Sequence, residues 1–122
     1  MDSQLRIIVI GGGWVTENRH LTALRKERRI LLQSVISKNV DRAEFLKKKF
    51  SAKTYFGGDG VDFSQVLQGC DAVVIGSDPF SHYEIAKQAI ALGKHVLMEK
   101  PLTLSVVESA ELVGLAKEKK IR

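Results

Sequence analysis

Leu5-Arg6-Ile7-Ile8-Val9-Ile10-Gly11-Gly12-Gly13-Trp14-Val15-Thr16 is the stretch on which the architecture turns. A continuous apolar, β-branched run such as Leu5 to Ile10 reads as a strand covered on both faces. Three glycines follow it, and a helical stretch follows them. Gly11 allows a tight turn, and Gly13 lets backbone N–H groups approach an anion at the helix N-terminus. The spacing fits G-x-G-x-x-G except at its last position, where Thr16 stands in place of glycine. That third glycine normally permits close helix–strand packing. A Cβ and a hydroxyl at Thr16 should push the helix outward slightly or add a polar contact. Trp14 reads as a bulky cover on the turn or as a packing residue.

Working outward, strands and helices alternate to the end of the chain. A helix is expected from Thr16 to Arg28, with Leu21 and Leu24 on one side, then a strand from Ile30 to Ser37. A second helix runs from Asp41 to Phe50, with Ala43, Leu46 and Phe50 at helical spacing and Asp41 as its N-cap. Lys53 to Tyr55 is a weak strand, Gly57-Gly58-Asp59-Gly60 a loop, and Asp62 to Gln68 a short helix. Ala72 to Ile75 is a strand, Ser81 to Leu92 a helix that Gly93 ends, His95 to Met98 a strand, and Leu104 to Lys119 the last helix. This alternation predicts an α/β fold, a three-layer doubly wound parallel sheet in a single domain over residues 1–122. Ile121-Arg122 reads as the opening of a sixth strand, so a domain cut from a longer protein is expected.

Composition narrows the function classes. The 122 residues suffice for one core, and 44% hydrophobic with 27% charged residues is a globular balance. No apolar run is long enough to span a bilayer. Cys70 is the only cysteine, so a reducing cytoplasm is the natural setting. His20, His82 and His95 have no zinc spacing, and no metal is expected. The net charge of +5 comes from clusters such as Arg28-Arg29 and Lys47-Lys48-Lys49, near helix ends. They are read as solvated helix ends not interleaved with stacking aromatics, which argues against a nucleic-acid partner.

A second chemical feature is Gly93-Lys94-His95-Val96-Leu97-Met98-Glu99-Lys100-Pro101, a short strand ending in an acid, a base and a proline. Reactive groups at the carboxyl end of a buried strand stand where open α/β sheets bind ligands. At the end of the second strand, Val35-Ile36-Ser37-Lys38-Asn39 lacks the acid that bonds a ribose 2′-hydroxyl. Ser37 does not repel a 2′-phosphate, and Lys38 or Arg42 can attract one. NADP is therefore favoured, with NAD as the other choice. Hydride transfer also needs a base at the substrate hydroxyl. Lys100 meets that need if burial or a nearby cation lowers its pKa. Glu99 is placed to orient Lys100 or to bond the cofactor. His95 is read as structural, and His20 as packing or bonding locally.

Ala72-Val73-Val74-Ile75-Gly76-Ser77-Asp78-Pro79 with His82, then Gly93 to Leu102, resembles the Gfo/Idh/MocA family (glucose–fructose oxidoreductase, inositol dehydrogenase and rhizopine catabolism proteins). The turn at Gly11, His20 to Leu24 and Asp41-Arg42-Ala43 match as well. The resemblance covers essentially the whole chain and is specific in its second half. It implies the N-terminal Rossmann domain of a two-domain NAD(P)-dependent oxidoreductase acting on sugars, polyols or related hydroxy or keto compounds. It places proton transfer on Lys100, with a cis peptide before Pro101. Gly11, Gly13, Trp14, Val15, Ser37, Lys38, Arg42, Ser77, Asp78, Pro79, His82, Glu99, Lys100 and Pro101 are the expected cofactor-site residues. The family's remaining acid/base residues and its substrate site belong to a second domain, which also makes the subunit contacts of a homo-oligomer. This chain alone is expected to be inactive. The alternative is a non-catalytic NAD(P)-sensing or scaffold module of the same fold.

Overall fold

The computed structural model describes residues 3–122. Five strands form it: β1 (Leu5–Ile10), β2 (Ile30–Ser37), β3 (Thr54–Gly57), β4 (Ala72–Ile75) and β5 (His95–Met98). They lie in the order β3-β2-β1-β4-β5, and every pair is parallel. The chain builds outward from β1 to β3, then returns to lay β4 on the other side of β1. The strand order therefore reverses between β1 and β4, and the crevice at that reversal is where such sheets take ligands.

Alternation along β1 explains the three layers. Ile8 and Ile10 join Ile36, Val73, Ile75, Ile85, Ala89 and Leu112 in a core on one face. Ile7 and Val9 join Leu21, Val35, Leu46, Phe50 and Val74 on the other. Successive side chains of a strand point to opposite faces, so a strand wedged between two helical layers must be apolar throughout. The helices of the first layer are α3 (Phe63–Val66, continued by a 3-10 turn, Leu67–Gly69), α4 (Pro79–Ala91) and α5 (Val106–Lys119). The second layer holds α2 (Val40–Phe50) and α1 (Thr22–Arg25), which a π-helical turn over Thr16–Leu21 precedes.

Several expected boundaries shift. The first helix ends at Arg25, not Arg28, and α4 begins at Pro79, two residues before Ser81. Proline is favoured at a first helical position, where its missing N–H costs nothing. The third strand runs Thr54–Gly57, and α5 starts at Val106. The N-cap of α2 is Asn39, not Asp41. Asn39 has extended backbone (φ −91°, ψ 111°), and its side chain accepts from the Arg42 N–H. Asp41 lies inside the first turn, where its charge meets the positive end of the helix dipole. Gly93 has φ +75° and follows α4 as expected. The Arg122 carbonyl accepts from the Val96 N–H at 2.9 Å, along the edge of β5 that β4 leaves open. Among the described residues, no helix is long and apolar enough to cross a membrane.

Candidate functional site

The carboxyl ends of all five strands meet one rim. The Gly11 N–H donates to Ile36 O, the Gly76 N–H to Ile10 O and the Glu99 N–H to Ile75 O, at 2.7–2.9 Å. Gly11, Gly76 and Glu99 therefore continue β1, β4 and β5 in adjacent register. The glycine turn and the Glu99-Lys100-Pro101 segment share this rim.

The turn's geometry explains its composition. Gly11 has φ +122°, a region L side chains avoid. A Cβ there would also stand 2.5 Å from Gly76 O. At Gly12 a Cβ would strike the Ser37 hydroxyl and the Arg42 stem, whereas Gly13 faces open space. The Thr16 mismatch is answered from across the sheet. Thr16 is 1% exposed. Its hydroxyl lies where a Cβ on Gly76 would be, 2.6 Å away, and donates to Gly76 O at 3.4 Å. Of the two expected consequences, the polar contact is the one realised. Close packing survives because the small residue sits on the strand end instead of the helix.

A cavity of about 790 Å³ opens at the β1–β4 reversal. Gly11, Gly13, Ser37, Lys38, Arg42, Ser77 and Asp78 all line it, joined by Phe63, Glu84 and Gln88 from α3 and α4. Ser37 is buried, and its hydroxyl accepts from the Asn39 N–H. Lys38 Nζ reaches 3.4 Å from an Asp78 carboxylate oxygen. Arg42 is more constrained than the sequence suggested. Its Nε donates to Gly12 O at 2.7 Å, and a terminal nitrogen is paired with Glu17. Lys49 also donates to Glu17, at 2.6 Å. These bonds from Lys49 and Arg42 hold the Glu17 carboxyl below its usual range. Lys49 lies over the rings of Phe45 and Phe50, and Arg25 over Phe50. The basic clusters thus do meet aromatics, but in packing that includes the buried Phe50.

The other predicted residues lie outside this cavity. Trp14 and Val15 are exposed on the first helical turn, Trp14 at 64%, with the Arg19 guanidinium 5.7 Å from its ring centre. Pro79 is the first residue of α4. His82 is fully buried under the rim, its ring nitrogens 2.9 Å from Pro101 O and 3.0 Å from Ser77 O. It joins the loop after β4 to the segment after β5 instead of facing the cavity. The Lys100-Pro101 peptide is cis. Lys100 is exposed and Glu99 half-buried. His20 does not bond locally: its Nε2 is 3.1 Å from Glu99 Oε1, across 79 residues. Sequence reasoning missed Gly12, Gly76, Glu17 and His20. Only the repetition of glycine hinted at the first, and the others depend on contacts that spacing does not encode.

Residues 5–122 match the Gfo/Idh/MocA model, described as an oxidoreductase family with an NAD-binding Rossmann fold. The chain belongs to this family. Its similarity to an uncharacterised oxidoreductase of Synechocystis sp. is 37% identity over 97% of this chain and 31% of that protein. It is 31% identical to glucose-6-phosphate 3-dehydrogenase of Bacillus subtilis, over 96% of this chain and 32% of the enzyme. A 3-ketoreductase from Actinomadura kijaniata, solved in complex with NADP, superposes with a TM-score of 0.84 at 29% identity. That match covers 98% of this chain and 37% of the ketoreductase. The chain thus spans about a third of the length of the Gfo/Idh/MocA relatives it matches.

Proposed function

We propose that residues 1–122 are the cofactor-binding domain of an NAD(P)-dependent oxidoreductase acting on a sugar, polyol or related hydroxy or keto compound. The observation that carries this reading is the shared rim, with the glycine turn and Glu99-Lys100-Pro101 on adjoining strand ends. The residues suit a dinucleotide. The cavity over Ser37 and Asp78 takes the adenosine half, and the turn offers the pyrophosphate an unobstructed backbone at Gly13 at a helix N-terminus. The matched dehydrogenase acts on a sugar phosphate, by its name, which supports the substrate class.

Bound nicotinamide supplies the hydride acceptor or donor. Lys100 Nζ takes or returns the proton of the substrate hydroxyl. Lys100 is exposed in this chain, so the desolvation it needs comes from substrate and from a second domain that closes over the rim. The remaining acid/base groups belong to that domain, and the chain alone binds cofactor without turnover.

NADP is the preferred form. Lys38 is 74% exposed at the cavity mouth, and no acid ends β2 to repel a 2′-phosphate. Trp14, the single tryptophan, reports binding through its fluorescence. Titration should show tighter binding of NADPH than of NADH. Lys38→Ala should weaken NADPH by roughly three- to tenfold, the scale of one exposed charge, and leave NADH nearly unchanged. Equal losses for both would remove Lys38 from the phosphate site, and failure of both to bind would remove the cofactor reading.

A further inference from the structure

The contact between His20 and Glu99 has no part in holding adenosine or pyrophosphate. Their side chains are 17% and 33% exposed and 3.1 Å apart. An ionised carboxylate only accepts, so the His20 Nε2 must carry the hydrogen and donate it. His20 belongs to the π-helical turn over Thr16–Leu21. Such turns are rare, and they concentrate at functional positions because they re-aim a side chain within an otherwise regular helix. Here the re-aimed side chain reaches over β4 to the end of β5. Among the described residues, His20 is the one side chain bonded to Glu99.

The order of strands on the rim says which half of a dinucleotide meets this pair. Ser37 ends β2, Gly11 follows β1, Gly76 follows β4 and Glu99 follows β5. The cavity takes in the β2 and β1 ends and the loop after β4, but not Glu99 or Lys100. An adenosine in that cavity, with its pyrophosphate on the glycine turn, sends the nicotinamide half toward β4 and β5. There it meets a carboxylate oriented by a donor. The oxidised ring carries a positive charge and the reduced ring none, so a fixed carboxylate beside it stabilises the two forms unequally.

Resting on the cofactor reading above, we infer that Glu99, oriented by His20, sets the preference of this site for oxidised over reduced cofactor. Glu99 is the charged group, and His20 is a positioning residue that acts through it. The inference concerns binding of the two redox forms, and turnover is not needed to see it.

The test is titration of the 122-residue chain with NADP+ and with NADPH, read by Trp14 fluorescence and by calorimetry. Glu99→Gln keeps the shape and removes the charge. It should lower the affinity for NADP+ relative to NADPH by roughly three- to tenfold, as expected for one partly exposed charge near the ring. His20→Ala should move that ratio part of the way, and His20→Gln, which retains a donor, should restore it toward wild type. A Glu99→Gln ratio equal to wild type overturns the inference while leaving the cofactor reading intact. So does a His20→Ala variant that loses both forms equally, the signature of a purely structural contact. A wild-type chain that binds neither form defeats the cofactor reading, and this inference with it.

Discussion

Gly76 and Thr16 share one contact, and the fit of helix to sheet depends on it. The hydroxyl of Thr16 fills the space a Cβ on Gly76 would take. Gly76→Ala should therefore destabilise the fold by about 1–3 kcal/mol, the cost of overpacking a site that cannot relax freely. Thr16→Ala in the same chain should recover much of that loss. Urea unfolding of both single variants and the double variant measures the coupling, and additive effects would show that the two residues do not compete for one space. The departure of Thr16 from the glycine pattern is visible along the chain. Its compensation is not, because Gly76 lies 60 residues away and no local rule links them. Ser37 is a similar case. Its position at the end of β2 could be read from spacing, but its burial beneath Gly12 could not.

At the start of α2 the expected cap was Asp41, and the structure puts it on Asn39, two residues earlier and of similar capping chemistry. Propensity does not choose between them. Backbone conformation does, because only an extended residue can turn its side chain back onto the first free N–H groups. Asn39→Ala should cost about 0.5–2 kcal/mol of stability, whereas Asp41→Ala, at an exposed first-turn position, should stay within about 0.5 kcal/mol. Thermal melts of the two variants distinguish them, and the reverse ranking would return the cap to Asp41. The π-helical turn was not legible at all. Its residues, Thr16 to Leu21, have no composition that separates them from an ordinary helix. The turn carries both Thr16, which seats against Gly76, and His20, which reaches Glu99.

Across the whole molecule, ion pairs tie distant segments, and one local pair joins Arg29 to Glu27. Asp71, beside β4, takes hydrogen bonds from the side chain and backbone N–H of Arg6 in β1, and these hold its carboxyl below the usual range. Arg29 holds Glu27 down to about 2 from 4.5. Glu17 is lowered by Lys49 and Arg42, and Glu111 by Tyr83 and Lys87. A carboxylate whose folded pKa is depressed adds stability above its unfolded pKa and loses it as pH falls through the folded value. The contribution of Glu27 should thus be complete above about 4.5 and lost toward about 2. Melting temperature by circular dichroism should hold level from neutrality to about pH 5 and fall below it, because depressed carboxylates act together in that range. Asp71→Asn should flatten the fall. A melting temperature indifferent to pH between 5 and 2 would show that the pairs persist in the unfolded chain or contribute nothing.

The amino-acid order alone determined that this chain alternates strands and helices, buries β1 on both faces and carries a phosphate-type turn and an acid–base–proline segment. Those are properties of neighbours, set by side-chain periodicity and by the φ angles glycine and proline allow. Tertiary structure alone decided that Gly76 accommodates Thr16, that Glu17 and Gly12 engage Arg42, that His82 lies beneath the rim, and that His20 is held to Glu99. Each of those depends on which strand ends are adjacent and how closely two layers approach. Such distances follow from packing the whole sheet, which no single stretch of the chain contains.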